Sequence, residues 1–119
     1  MDIETYSKLA FRTASSGSYP TDHLLHASLG IGGEAGEVLD HIKKVVFNGR
    51  LLDVDHVVEE TGDLLWYINL MLCTLNVPWG TVLDKNIAKL ETRYPDLKFD
   101  PDRSLNRDVA AEKAAMRAV

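Results

Sequence analysis

Apolar residues recur at alternating steps of three and four through most of this chain, and that period restricts it to helices. Ile3, Tyr6, Leu9, Ala10 and Thr13 mark one face of a first segment, about residues 2–15. Ile31, Ala35, Val38, Ile42 and Val45 mark a second, and Val57, Leu64, Ile68, Met71 and Leu75 a third. Val82, Ile87 and Leu90 mark the inner side of a fourth. The steps follow the helical turn of about 3.6 residues and not the strict alternation of a strand.

Turn signals separate these segments. Ser15-Ser16-Gly17-Ser18-Tyr19-Pro20 reads as a loop, Asn48-Gly49 as a second break and Asn76-Val77-Pro78 as a third, with Pro78 in the first turn of a new helix. Tyr94-Pro95 ends the fourth segment, because proline disfavours helix at the residue before it. Asp22 is the expected N-cap of helix two, and Asp53 or Asp55 that of helix three. Four helices with short connections predict an all-α, antiparallel four-helix bundle-like fold. After Pro95 the tail reads as extended and polar, ending in a short helix near Val109–Ala115. At 119 residues the expectation is one domain, with a core of about 22–94 and a tail of 95–119.

The charge balance of −5 argues against a nucleic-acid surface, which needs a basic excess to displace counterions. It leaves room for a small anionic ligand held through a cation. The single cysteine, Cys73, permits no intrachain disulfide and points to a reducing compartment. The acidic start Met1-Asp2-Ile3-Glu4 lacks the pattern of a signal peptide, and no apolar run approaches the roughly 18 residues of a membrane span. Together these predict a cytoplasmic protein without membrane or nucleic-acid partners.

Four acids carry the chemistry. Glu34-x-x-Glu37 lies on helix two and Glu60-x-x-Asp63 on helix three. A spacing of three puts each pair on one helix face, a turn apart. The pairs are equidistant from the midpoint between Asn48 and Gly49, so an antiparallel hairpin places Glu37 opposite Glu60 and Glu34 opposite Asp63. Two unit charges about 5 Å apart repel by roughly 3 kcal/mol at an effective dielectric of about 20. No Lys or Arg is interleaved, so relief comes from solvent, protonation or a cation. An all-oxygen set suits a hard cation, best Mg²⁺ with Mn²⁺ as a substitute, and zinc would want His or Cys ligands. Gly30, Gly32, Gly33 and Gly36 surround the first pair, each costing up to about 1 kcal/mol in a helix. Close approach of a backbone or ligand would explain them, as would a helix break at 30–33.

Other patterns point elsewhere only weakly. Gly30-x-Gly32-x-x-Ala35 matches a dinucleotide-binding pattern but lacks the preceding strand. No glutamate has a histidine three residues later, which excludes the paired Glu-x-x-His of di-iron bundles. His23 and His26 lack a third ligand and read as rim residues.

Gly33-Glu34-Ala35-Gly36-Glu37 followed by Glu59-Glu60-Thr61-Gly62-Asp63-Leu64-Leu65-Trp66 resembles the MazG-type all-α nucleoside triphosphate pyrophosphohydrolases, with a gap of 22 residues between Glu37 and Glu60. The similarity continues through Asn86-x-x-Lys89-x-x-x-Arg93-Tyr94-Pro95 and Asn106-Arg107-Asp108, and is greatest to compact single-domain forms of bacteria and phages. The resemblance implies hydrolysis of a nucleoside triphosphate to monophosphate and pyrophosphate with Mg²⁺ held by Glu34, Glu37, Glu60 and Asp63. It also implies a homodimer or homotetramer, in the bacterial or phage-host cytoplasm. Asn86, Lys89 and Arg93 share a face of helix four and are expected to hold phosphate oxygens, with Lys44 and Tyr67 as further substrate contacts. The alternative from another class is a non-catalytic helical interaction module that keeps the fold and the acids.

Overall fold

Asp2 opens the first helix: its carboxylate accepts from the Thr5 amide at 2.8 Å, satisfying a donor that the first turn leaves without a partner. The computed structural model describes residues 1–15 and 20–119, and among the described residues it contains six helices and no strand. The protein is all-α. Helix α1 (Ile3–Phe11) stops short of the expected residue 15, in turns that return the Thr13 and Ala14 amides to the carbonyls of Ala10 and Phe11. Of the loop expected at 15–20, residues 16–19 lie outside the described residues.

Helix α2 (Pro20–Asn48) begins earlier than expected. Pro20 suits a first turn, where its missing N–H has no intrahelical partner. Asp22 is therefore inside the first turn rather than at the cap, where its charge still complements the helix dipole. The helix runs unbroken through Gly30, Gly32, Gly33 and Gly36, which removes the helix-break explanation of these glycines. It ends at Asn48, and Gly49 follows with φ +65°, a left-handed position that glycine takes without steric cost. Asp53 caps α3 (Val54–Thr74) as expected, accepting from the His56 amide at 3.0 Å.

Helices α2 and α3 pack as a hairpin whose register is visible in two pairs equidistant from the Asn48–Gly49 midpoint. Tyr67 lies against Gly30, and the rings of His41 and His56 stand 5.0 Å apart. Helix α1 packs on α3 and is tied to it by polar contacts. The Asn69 side-chain amide, 1% exposed, donates to the Ser7 carbonyl at 3.1 Å, and Trp66 Nε1 donates to Thr13 Oγ1 at 2.7 Å. Ala10, Ala27 and Leu70 are the buried apolar residues of this unit, Met1–Asn76, among the described residues.

Val77–Val119 form a second compact unit. Pro78 stands one position before α4 (Trp79–Arg93), as its N-cap rather than in its first turn. The helix stops at Tyr94, ahead of Pro95, as expected. The tail departs from the extended form expected of it. Asp100-Pro101 starts a short helix α5 (Pro101–Leu105), with the Asp100 carboxylate on the Arg103 amide at 3.0 Å and Pro101 in the first turn. Helix α6 (Val109–Arg117) is the expected terminal helix, capped by Asp108. It packs on α4, where Lys85 Nζ donates to the carbonyls of Met116 and Val119 at 2.5 and 2.9 Å, offsetting the negative end of the α6 dipole.

Candidate active site

The close contact of Gly30 with Tyr67 at one level and of His41 with His56 at another bracket the acids of the hairpin. Between them, carboxylate oxygens of Glu34, Glu60 and Asp63 lie within 4.8 Å of one another. Glu34 and Glu60 are half-buried and Asp63 is exposed. A hydrogen bond to Glu60, partial burial, and the charges of Glu60 and Asp63 together hold the Glu34 carboxyl above its ordinary range. No other group of three or more His, Cys, Asp or Glu side chains converges in this way among the described residues.

Glu37 is not part of this trio. It is exposed and lines a cleft nearer the turn. Residues three apart subtend about 60° around a helix, so one side chain of the Glu34–Glu37 turn reaches the facing helix while the other borders the seam. Glu34 engages both acids of α3, where the symmetric expectation gave it Asp63 alone.

On the side away from the turn, Glu34, Asp63, Trp66 and Tyr67 line a cleft of about 360 Å³. The Trp66 and Tyr67 rings are nearly perpendicular, 87°, with centroids 5.1 Å apart. His26 adds edge contacts at 5.5 Å to Tyr67 and 6.2 Å to Trp66, which makes it the rim residue expected. Tyr6 of α1 feels one of these acids: burial, and then the charge of Asp63, push its hydroxyl up. Tyr6 carries no local motif and its proximity depends on how α1 packs, so the sequence holds no signal for it. Trp66 neighbours Tyr67 in the chain, and the fold brings both to the wall of the same cleft.

On the turn side, a cleft of about 580 Å³ is lined by Glu37, His41, Lys44, Arg50 and His56, among others. Lys44 is paired with Asp40 at 2.6 Å, one turn back on α2, and holds that carboxyl below its ordinary range. His41 Nε2 accepts the Asp53 amide at 3.0 Å. His56 Nδ1 lies 3.8 Å from Glu60 Oε1, linking this cleft to the acidic trio.

In the second unit, Asn86 is exposed and Lys89 half-buried on α4. Arg93 is held by a residue that sequence reasoning missed. Its Nε and Nη2 donate to the two oxygens of Glu112 at 2.8 and 3.2 Å, and Arg107 donates to the same oxygens at 3.2 and 2.6 Å. Glu112 is 2% exposed, and hydrogen bonds from Arg93 and then Arg107 push its carboxyl down to about 2. Two guanidinium groups on one carboxylate leave this cluster with a net positive charge.

The all-oxygen trio, without His or Cys, has the donor chemistry of a hard divalent cation and not of zinc. An all-α chain with an acidic trio on a helical hairpin defines a recognisable class of domain. Sequence comparison identifies which: the sequence model of the MazG nucleotide pyrophosphohydrolase domain matches residues 24–98, and the chain belongs to this family. Glu34, Glu37, Glu60 and Asp63, and Asn86, Lys89 and Arg93, fall inside the match; Arg107 and Glu112 lie beyond it. The chain is also similar to the gene 37 protein of Mycobacterium phage L5, 33% identical over 79 residues. That alignment covers 59% of this chain and 65% of the phage protein, so the chain spans less than two thirds of that relative. No solved structure matches the chain significantly.

Proposed function

We propose that this protein hydrolyses a nucleoside triphosphate to the monophosphate and pyrophosphate with Mg²⁺, for which Mn²⁺ substitutes. The observation that carries this is the convergence of Glu34, Glu60 and Asp63 within 4.8 Å beside a cleft walled by Trp66 and Tyr67. With Glu37 they are the residues that would hold the cation, which when bound supplies positive charge against the phosphate oxygens and activates water. Water adds to the α-phosphorus, the bond from that phosphorus to the bridging oxygen breaks, and pyrophosphate leaves. A carboxylate of the Glu34–Glu37 turn takes the proton of the attacking water. Tyr67 borders the nucleotide and Lys44 meets a phosphate. Asn86, Lys89 and Arg93 enter as phosphate-binding groups on the family's pattern, and the Glu112 carboxylate fixes the direction of the Arg93 guanidinium.

A homodimer or homotetramer is part of the proposal. Leu25, Leu29, Leu39 and Val46 are exposed along one stripe of α2, and Gly32 and Gly36 on the same stripe have open space where a Cβ would be. Such a face is suited to the close approach of a second helix pair. No helix among the described residues is long and apolar enough to cross a membrane, and we place the protein in the cytoplasm.

The test is a panel of ribo- and deoxyribonucleoside triphosphates with Mg²⁺ and Mn²⁺, scored for pyrophosphate. Release of pyrophosphate from one or more nucleotides is expected. No release from any of them, with no metal binding by calorimetry, would leave a non-catalytic helical module.

A further inference from the structure

The seam of the hairpin is a linear track. On α3, His56, Glu60, Asp63 and Tyr67 follow at steps of four, three and four, and on α2, Gly30, Glu34, Glu37, His41 and Lys44 face them at similar steps. From His56 to Tyr67 the rise is about 16 Å, at about 1.5 Å per residue. That is of the order of an extended nucleoside triphosphate. The acidic trio sits in the middle, with a different cleft at each end.

The two clefts differ in chemistry. The one lined by Trp66 and Tyr67 has two aromatic walls and two carboxylates and, among the described residues, no cationic side chain, which suits a base and its sugar and repels phosphate. The turn-side cleft holds the cations of the seam, Lys44 and Arg50, with two imidazoles. Of its three acids, Asp40 is paired with Lys44, the Asp53 carboxylate caps the His56 amide, and Glu37 borders the acidic trio as a proposed cation ligand. Arg50 makes no ion pair within 4.0 Å among the described residues, so its planar donors are open to a phosphate. His41 presents a second donor. Because its Nε2 accepts the Asp53 amide, the ring's remaining proton is on Nδ1.

We infer that the turn-side cleft is the subsite for the terminal phosphates of the nucleotide, contacted by Arg50, Lys44 and His41, and that the substrate lies along the hairpin with its base toward Trp66 and Tyr67. This rests on the proposed hydrolysis and gives it a direction. Pyrophosphate leaves at the turn, and the nucleoside monophosphate leaves at the aromatic end.

Product inhibition reads that direction. In the full-length protein with Mg²⁺, Arg50→Ala weakens inhibition by pyrophosphate about tenfold or more, the loss of a charge-assisted hydrogen bond, and leaves inhibition by the monophosphate within about twofold. Trp66→Phe, which keeps an aromatic core side chain, does the reverse. Calorimetric titration with pyrophosphate and with a nucleoside monophosphate repeats the comparison without turnover, so it stands even if no nucleotide of a panel is hydrolysed. If Arg50→Ala instead weakens the monophosphate and spares pyrophosphate, the direction is opposite to that inferred. If it changes neither, or if the parent protein binds neither product, the turn-side cleft is no substrate subsite. A circular dichroism melt of each variant confirms that the fold is kept.

Discussion

Gly30 and Tyr67 meet so closely across the hairpin that a methyl group on Gly30 would lie 2.1 Å from Tyr67 Cδ1. The absent side chain lets α2 and α3 approach at the wall of the aromatic cleft, and it fixes the ring that borders the acids. A glycine in a helix interior costs roughly 1 kcal/mol, and here a specific contact accounts for it.

Gly30→Ala is therefore expected to destabilise the protein by about 1–3 kcal/mol, because overpacking at this ring exceeds the gain in helix propensity. Urea denaturation measures it directly. An unchanged or higher midpoint would show that the ring can move aside freely.

Gly36→Ala should behave in the opposite way within a single chain, since nothing lies within 4 Å of the added carbon. Propensity alone would stabilise by up to about 1 kcal/mol. If the α2 stripe is a contact between copies, the same methyl group weakens association, and light scattering combined with thermal melts separates the two effects. Stable monomers of the parent protein at micromolar concentration would contradict the proposed assembly.

The acidic trio makes a prediction of reversed signs. Glu34 is raised in the folded chain, so its charging costs stability as pH rises through its folded value, and at neutral pH the metal-free protein bears that cost. Glu34→Gln should raise the Tm of the metal-free protein. Added Mg²⁺ should raise the Tm of the parent, since a ligand at about 100 times its Kd contributes about 2.7 kcal/mol, and should leave the variant unmoved. An Mg²⁺ shift of equal size in both would place the cation elsewhere.

Glu112 predicts the acid limit of the second unit. Its carboxyl is depressed to about 2, from an ordinary value of 4.5, by hydrogen bonds from Arg93 and then Arg107. A depressed carboxyl contributes stability that is fully present above the unfolded value and is lost as pH falls toward the folded one. Helix content should thus fall on acidification between about pH 4.5 and pH 2, and Glu112→Gln should flatten that part of the profile. Parallel profiles for parent and variant would show that the Arg–Glu–Arg cluster adds nothing in this window.

Much of this arrangement was legible in the sequence because its causes are local. The 3.6 period of Ile31, Ala35, Val38 and their successors, the Asn48-Gly49 break and the Asp53 cap are decided within a few residues, and α2, α3 and their turn follow. The symmetric spacing of the two acid pairs brought Glu34, Glu60 and Asp63 to one level of the seam. What was not legible depends on tertiary contact. Glu37 and Glu34 differ by a rotation about α2 that the spacing does not resolve. Glu112 meets Arg93 across 19 positions, through a tail whose α5 turned on an Asp-Pro cap that the polar composition concealed. The influence of Asp63 on Tyr6 depends on the packing of α1 on α3, which Asn69 and Trp66 tie together by hydrogen bonds.

The central claim is that the carboxylates of the hairpin work as a metal-dependent pyrophosphohydrolase centre. It is tested most directly by pyrophosphate release from the best nucleotide of the panel, with Mg²⁺, by the parent protein and by Glu60→Gln. The account predicts release by the parent, loss of turnover by orders of magnitude in the variant, and the same helical circular dichroism for both. Undiminished release by Glu60→Gln would contradict it.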